Sequence, residues 1–309
     1  MPVMSTLTGP LAALAAEHHG LVTAELTRAR HISPSVVAAA LRSEALHRIR
    51  PGIFVDHGVW EATQTSDKYT LLVRGVMLGH PHWLASHHAG LALLGLPLFG
   101  LDLSLVDVVA AVRTSKRRPG LHVHVATAEQ RSLITDPTIT SISAADACVL
   151  TAADHGLVSG VVAMDAALKR GMTTATALTS ALESSHTRYG AGQARAAIAA
   201  IDPLCESPGE TRTRLILMAA GLDVRSQVSL KDARGFIGRV DFLVGDRVVV
   251  EFDGAVKYEG LEGKRALMEE KQREERLRDA GFRVVRLTWA DLSRPDRVVA
   301  RVRAQLAAA

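Results

Sequence analysis

Apolar and polar positions alternate differently in three stretches of the chain. Between residues 10 and 57 apolar residues recur at helical spacing over 10–18, and Gly20 breaks the pattern. The same spacing returns over 23–30 and, from Pro34, over 34–45. Leu46 to Asp56 then places β-prone residues on both sides of Pro51-Gly52, the pattern of a small hairpin. From 66 to about 204, helical periods at 67–78, 85–93, 144–154, 156–170, 174–183 and 191–200 are interrupted by β-prone runs near 104–112 and 121–126. The last stretch predicts a helix from Pro208, an apolar hairpin over 240–254, a charged helix from about 261 to 279 and a strand over 283–288.

These patterns predict a multidomain protein mixing α/β and α+β parts: 1–60, 66–204 and 205–309. Three short helices followed by a hairpin predict a winged helix-turn-helix, a DNA-binding domain, over 1–60. Its third helix offers few polar groups to base edges: Ser33, Ser35, Arg42 and Ser43. Arg48 and Arg50 of the wing, with Arg28 and Arg30, fit phosphate contacts, which position a protein without reading sequence. A winged module used for protein contacts is the competing expectation.

The chemistry concentrates in Val240-Asp-Phe-Leu-Val-Gly-Asp-Arg-Val-Val-Val-Glu-Phe-Asp-Gly254. Side chains alternate along a strand, so Glu251 and Asp253 share one face while Val250 and Phe252 enter the opposite layer. Asp241 lies on the preceding strand. Carboxylates gathered on an apolar hairpin suit a hard cation, Mg²⁺ or Mn²⁺, which activates water and stabilises the charge of phosphodiester cleavage. Upstream, Ser207 reads as a helix N-cap, Pro208 as the first helical residue and Gly221 as the residue past the end. Glu210 alone reads as a capping-box carboxylate folded back on the Ser207 amide.

Taken together, Ser207-x-x-Glu210, Val240-Asp-Phe242, Val250-Glu-Phe-Asp-Gly254, Arg273-Glu-Glu-Arg-Leu-Arg-Asp-Ala-Gly281 and Val284-Val-Arg-Leu-Thr-Trp-Ala-Asp-Leu292 resemble the restriction-endonuclease-like superfamily. The nearest branch is the very-short-patch-repair-endonuclease-like domains, over the last third of the chain. The resemblance implies a metal-dependent endodeoxyribonuclease with Asp241 and Glu251 as principal Mg²⁺ ligands and Glu210 assisting. The superfamily pattern is Asp…Glu-x-Lys, and Asp253 stands here where the lysine belongs. Lys257 and Lys271 are the candidates to supply that charge from a shifted position, against the plainer expectation of two solvated lysines.

The opening Leu11-Ala-Ala-Leu-Ala-Ala-Glu-His-His-Gly-Leu-Val22, the Arg48-Ile-Arg-Pro-Gly-Ile-Phe-Val55 wing, Leu84-Ala-Ser-His-His-Ala-Gly-Leu-Ala-Leu-Leu-Gly-Leu96 and Thr140-Ser-Ile-Ser-Ala-Ala-Asp-Ala147 are similar to the abortive-infection type IV antitoxin family, over the first two-thirds of the chain. That resemblance implies an operon repressor whose following domain counters a nucleotidyltransferase-like toxin. Two classes of function are therefore in play, a DNA endonuclease and a non-catalytic DNA-binding regulator. In both, double-stranded DNA is the expected partner, and a homodimer stays open.

Composition narrows the setting only a little. A formal charge of +4 permits binding to a polyanion without demanding it. Cys148 and Cys205 lie far apart with no Cys-x-x-Cys spacing, so reduced, structural thiols are expected rather than a disulfide framework or zinc site. The N-terminus lacks the layout of a signal peptide and no long uncharged apolar run occurs, which predicts a cytoplasmic, non-membrane protein. His80, His82, His87 and His88 match no standard zinc spacing, and capping, packing or interface roles are expected of them.

Overall fold

The computed structural model of the protein describes residues 7–136, 138–185, 189–254 and 260–308. Helices and strands are mixed throughout, and the chain divides into two compact units, 1–151 and 152–309. No helix among the described residues is long and apolar enough to cross a membrane.

The first unit opens with α1 (Gly9–Glu17), β1 (Leu21–Thr23), α2 (Ala24–Ala29) and α3 (Pro34–Arg42), then β2 (Leu46–Arg50) and β3 (Ile53–Asp56). Thr23 and Ser33 cap α2 and α3 through their hydroxyls, which is why helices this short start where they do. Gly52, at φ +80°, makes the turn of the hairpin. The strands form a sheet in the order β1-β3-β2, and Leu11, Leu14, Val22, Ile32, Val37, Leu46 and Phe54 form its core with the helices.

Beyond α4 (His57–Ala62) and α5 (Thr65–Gly79) come β4 (Trp83–Ala85), α6 (His87–Leu93), β5 (Val106–Ala110), β6 (Lys116–Arg118), β7 (Leu121–Val125), α7 (Ala128–Leu133) and α8 (Ala144–His155). A second sheet runs β4-β5-β7-β6, with β5 and β7 parallel. Val106, Val108, Ala110, Leu121 and Val123 line one face of this parallel pair and pack on Tyr69, Val73 and Val76 of α5. The alternation of strand residues then sends Asp107, His122 and His124 to the other face.

The second unit takes in the end of α8 from Ala152 and continues with α9 (Leu157–Lys169), α10 (Ala175–Ser184) and α11 (Ala191–Ala199), followed by α12 (Pro208–Ala219). Residues 152–204 thus pack with the C-terminal sheet, although their sequence pattern grouped them with the middle segment. The physical tie is a buried polar network. Asp165 of α9 accepts from the Asp202 amide at 2.7 Å, from Thr211 Oγ1 at 2.8 Å and from Arg214 at 3.2 Å, and Arg214 also donates to the Ala200 carbonyl at 2.6 Å.

After α12 come β8 (Val224–Asp232), β9 (Gly235–Val244), β10 (Val248–Phe252), α13 (Gly260–Asp279), β11 (Arg283–Leu287), α14 (Trp289–Leu292) and α15 (Pro295–Ala307). The sheet order is β11-β10-β9-β8, antiparallel except for β10 and β11. Phe242, Val244, Val248, Val250, Val285 and Leu287 pack on Leu217 of α12 and on Val298 and Val302 of α15. Leu243 and Val249 face the other way, onto Leu277 of α13. The alternation carries Asp241 and Glu251 to that second side, at the open end of the β9–β10 pair.

Candidate functional site

The start of α12 is built to bring a carboxylate to the sheet. Ser207 caps the helix by accepting from the Glu210 amide at 3.2 Å, and Pro208 fixes the first turn. Gly209 is demanded by packing, because a Cβ there would lie 2.0 Å from Cε1 of Phe252. The ring of Phe252 in turn meets Trp289 edge-on at 5.0 Å. Glu210 is buried, and its carboxylate accepts from the Glu206 amide at 2.8 Å, Ser207 Oγ at 2.9 Å and Gln227 Nε2 at 2.9 Å. It is therefore more than a cap: it folds back past Ser207 to the Glu206 amide and also reaches β8. Gln227 makes its bond from a left-handed backbone, φ +54°, inside a strand, a conformation that a residue with a side chain keeps only where its surroundings impose it.

Asp241 and Glu251 come from neighbouring antiparallel strands. The register pairs Val250 with Phe242, and one step further the Phe252 amide donates to Asp241 Oδ2 at 2.8 Å. Burial pushes the Asp241 carboxyl up to about 6; the Phe252 amide opposes the rise, and the charges of Glu210, Glu251 and Glu206 add to it. Crowded carboxylates of this kind are a signature of a site that expects positive charge.

Glu251 already has some. Arg273 of α13 donates to it at 2.6 Å, and Arg286 of β11 stands 3.8 Å away. Both arginines also hold Glu270, and Arg286 reaches Glu274 at 3.1 Å, so the sheet side of α13 carries an alternating ion network. Lys271, one of the expected donors, is exposed, and the face of α13 turned to the sheet is that of Glu270, Arg273, Glu274 and Leu277. Lys257 lies outside the described residues. Asp253 adds one rung to the β10–β11 ladder, its amide donating to the Leu287 carbonyl at 2.7 Å.

Sequence reasoning missed Arg273, Arg286 and Gln227. The phase of α13 held a signal for the first: Leu277 is buried, and Arg273 stands four residues before it on the same stripe, whereas Lys271 does not. As the side chains stand, Glu210, Asp241 and Glu251 do not close on a single point. Among the described residues the trio with ligand atoms all within 4.8 Å of one another lies in the first unit, at His87, Asp107 and His124.

The residues expected to meet DNA have mixed fates. Ser33 is the α3 cap, its hydroxyl accepting from the Ser35 amide at 3.3 Å and touching Ser35 Oγ at 2.8 Å. Ser35, Arg42 and Arg48 are exposed, and the Arg48 guanidinium sits 5.8 Å from the centre of the Phe54 ring. Arg50 is bound within the unit, donating to the carbonyls of Gly120 at 3.2 Å and Pro119 at 3.4 Å. Arg30 is paired with Glu17 at 2.6 Å. Comparison of the chain with models of known protein families and with curated proteins finds no match in either.

Proposed function

We propose that the chain is a DNA-binding protein whose C-terminal sheet carries a metal-dependent endodeoxyribonuclease site, with Asp241 and Glu251 as the principal ligands and Glu210 assisting. The observation that carries this reading is Asp241: a largely buried carboxyl raised to about 6 by burial and by the charges of Glu210, Glu251 and Glu206, where β9 and β10 cease to pair. The donor set is all oxygen, which fits Mg²⁺ or Mn²⁺. Such an ion, when bound, lowers the pKa of water and offsets the charge of the cleaved phosphodiester. The protein's own groups have definable parts. Gln227, Ser207 and the Glu206 amide fix Glu210, and the Phe252 amide fixes one oxygen of Asp241. Arg273 donates to Glu251 and places positive charge where Asp253 cannot.

The N-terminal helices and hairpin are proposed as a winged helix-turn-helix that binds duplex DNA through phosphates. Arg28, Arg42 and Arg48 are among its exposed cations, and the α+β part of the first unit that follows, from residue 66 to 151, is the part the antitoxin family would turn toward a toxin. The same ion network supports a second reading, a non-catalytic repressor or antitoxin that keeps a nuclease-like sheet for binding. Glu251 is already neutralised by Arg273, and such a sheet stays stable with no cation.

Incubation of the full chain with linear, supercoiled, mismatched and single-stranded DNA in Mg²⁺ or Mn²⁺ separates the two. The nuclease reading expects cleavage that Glu251→Ala abolishes while DNA affinity is kept or raised. Wild-type protein that cuts none of these substrates leaves the regulator.

A further inference from the structure

A second cluster of chemistry lies in the first unit, in residues used neither by the carboxylate site nor by the proposed DNA contacts. Asp107 is 3 % exposed on β5, and imidazoles surround it. His124 Nε2 lies 2.7 Å from Asp107 Oδ1, His122 Nδ1 lies 3.3 Å from the same oxygen, and His88 Nδ1 lies 3.6 Å from Oδ2. His87 completes the group, its ring stacked on His124 at 4.4 Å. A single carboxylate needs one such partner, and a set of imidazoles in excess of that calls for another reason.

The fold brings these residues together from afar. The parallel register sets Asp107 beside His122 and Val109 beside His124, so both histidines share a face with the aspartate while the valines between them enter the core. His87 arrives from the start of α6, in a left-handed backbone at φ +48° that a histidine adopts at a cost. One ligand atom each from His87, Asp107 and His124 lies within 4.8 Å of the other two. That spread needs only small side-chain rotations to meet around an ion with ~2.0–2.2 Å bonds.

The surroundings resemble an outer shell. Ser86 Oγ stands 3.0 Å from His87 Nδ1, the kind of contact that fixes which edge of a ligating ring faces a metal. Ser115 Oγ stands 2.9 Å from His122 Nε2, and His122 in turn steadies Asp107. His88 is anchored by the Leu105 carbonyl at 2.9 Å. His124 is partly open to solvent, at 22 % of its side chain, which gives an ion a way in and leaves a coordination position for water or a ligand. Two imidazole nitrogens and one carboxylate oxygen suit zinc, iron, nickel or copper rather than Mg²⁺.

We propose that His87, Asp107 and His124 form a binding site for one divalent transition-metal ion of the zinc class, with an open coordination position. The ion takes the place of the proton shared between His124 and Asp107, while Ser86, His122 and His88 hold the ligands in place. This site is independent of the carboxylate site of the second unit.

The test uses the full chain stripped with chelator and titrated with Zn²⁺ against a chromophoric competitor, with Co²⁺ as a spectroscopic probe. One equivalent bound per chain is expected, together with Co²⁺ visible bands typical of four or five ligands. His124→Gln, on a partly exposed position, should weaken Zn²⁺ at least about a hundredfold, beyond what loss of an outer-shell partner usually costs. His80→Gln, a histidine outside the cluster, should leave affinity unchanged, and circular dichroism confirms that each variant is folded. Absence of stoichiometric Zn²⁺ binding by wild type overturns the site, and so does binding that His124→Gln leaves intact or that His80→Gln weakens equally.

Discussion

Arg273 of α13 donates to Glu251 of β10 at 2.6 Å, so the carboxylate that the sequence singles out as a metal ligand is already bound to a cation of the same chain. Removing Arg273 exposes the repulsion that it masks. Arg273→Ala is expected to lower stability by roughly 2 kcal/mol in chelator, less than the ~3–5 kcal/mol of a fully buried pair because Arg286 remains close. Adding Glu251→Gln should recover most of the loss in urea unfolding. If DNA is cut, Arg273→Ala should slow cleavage far more than Lys271→Ala; equal effects would return the role to the lysine.

Asp241 sets a pH dependence. Its carboxyl titrates near 6 in the folded chain against 3.8 as a free group. The folded state therefore keeps this proton to higher pH than the unfolded one, and stability falls as pH rises from about 4 to about 6. The cost above that window is at most ~3 kcal/mol, and roughly 2 kcal/mol allowing for solvent access. Asp241→Asn should match wild type near pH 4 and exceed it at pH 7.5 in chelator. Millimolar Mg²⁺ or Mn²⁺ should raise the wild-type Tm and leave the variant's unchanged. A variant no more stable than wild type at pH 7.5 would show that Asp241 is not under strain.

Gly209 inverts an ordinary rule. Alanine within a helix usually gains about 0.5–1 kcal/mol over glycine. Here the new methyl would meet Phe252 at 2.0 Å. Gly209→Ala should cost about 1–3 kcal/mol, the range of overpacked cores, and Phe252→Leu in the same chain should recover part of it. Calorimetry of the single and double variants measures both.

Arg48 and Arg50 should part company on DNA. Arg48 is exposed, whereas Arg50 is tied to the carbonyls of residues 119 and 120. Arg48→Ala should weaken unrelated duplexes alike and flatten the log–log salt dependence by about one, the slope of a single phosphate contact. Arg50→Ala should chiefly lower stability. Fluorescence anisotropy across salt concentrations distinguishes this from base reading, which would appear as a loss for one sequence alone.

Much of the secondary structure was legible where local chemistry decides it. Ser207, Pro208 and Gly221 mark α12 to within a residue, and apolar periodicity finds α5, α9 and the β9–β10 hairpin. Strand β8 was missed, because Ser226 breaks the alternation of Val224, Val228 and Leu230 and leaves an edge strand with a short, weak apolar pattern. β6 is three exposed cations, Lys116 to Arg118, whose pairing with β7 no local pattern announces. Asp241 and Glu251 stood out as charges in an apolar hairpin and Glu210 as a capping-box carboxylate joined to them by the resemblance, but the choice of Arg273 over Lys271 depends on which side of α13 meets the sheet. The histidine cluster is harder still. His87 and His124 are brought together by β5–β7 pairing and the return of α6, and spacing along the chain carries no trace of either.

The Asp165–Arg214 tie has a practical corollary for dissecting the chain. A fragment starting at Cys205 would retain Arg214 but discard Asp165 and the Ala200 carbonyl, stranding a guanidinium that is 4 % exposed in the whole protein. Such a piece should be poorly soluble, and a failed assay on it would say nothing about Asp241 or Glu251. Starting instead at Gly156, just ahead of α9, keeps both halves of the pair and the helix that carries Glu210.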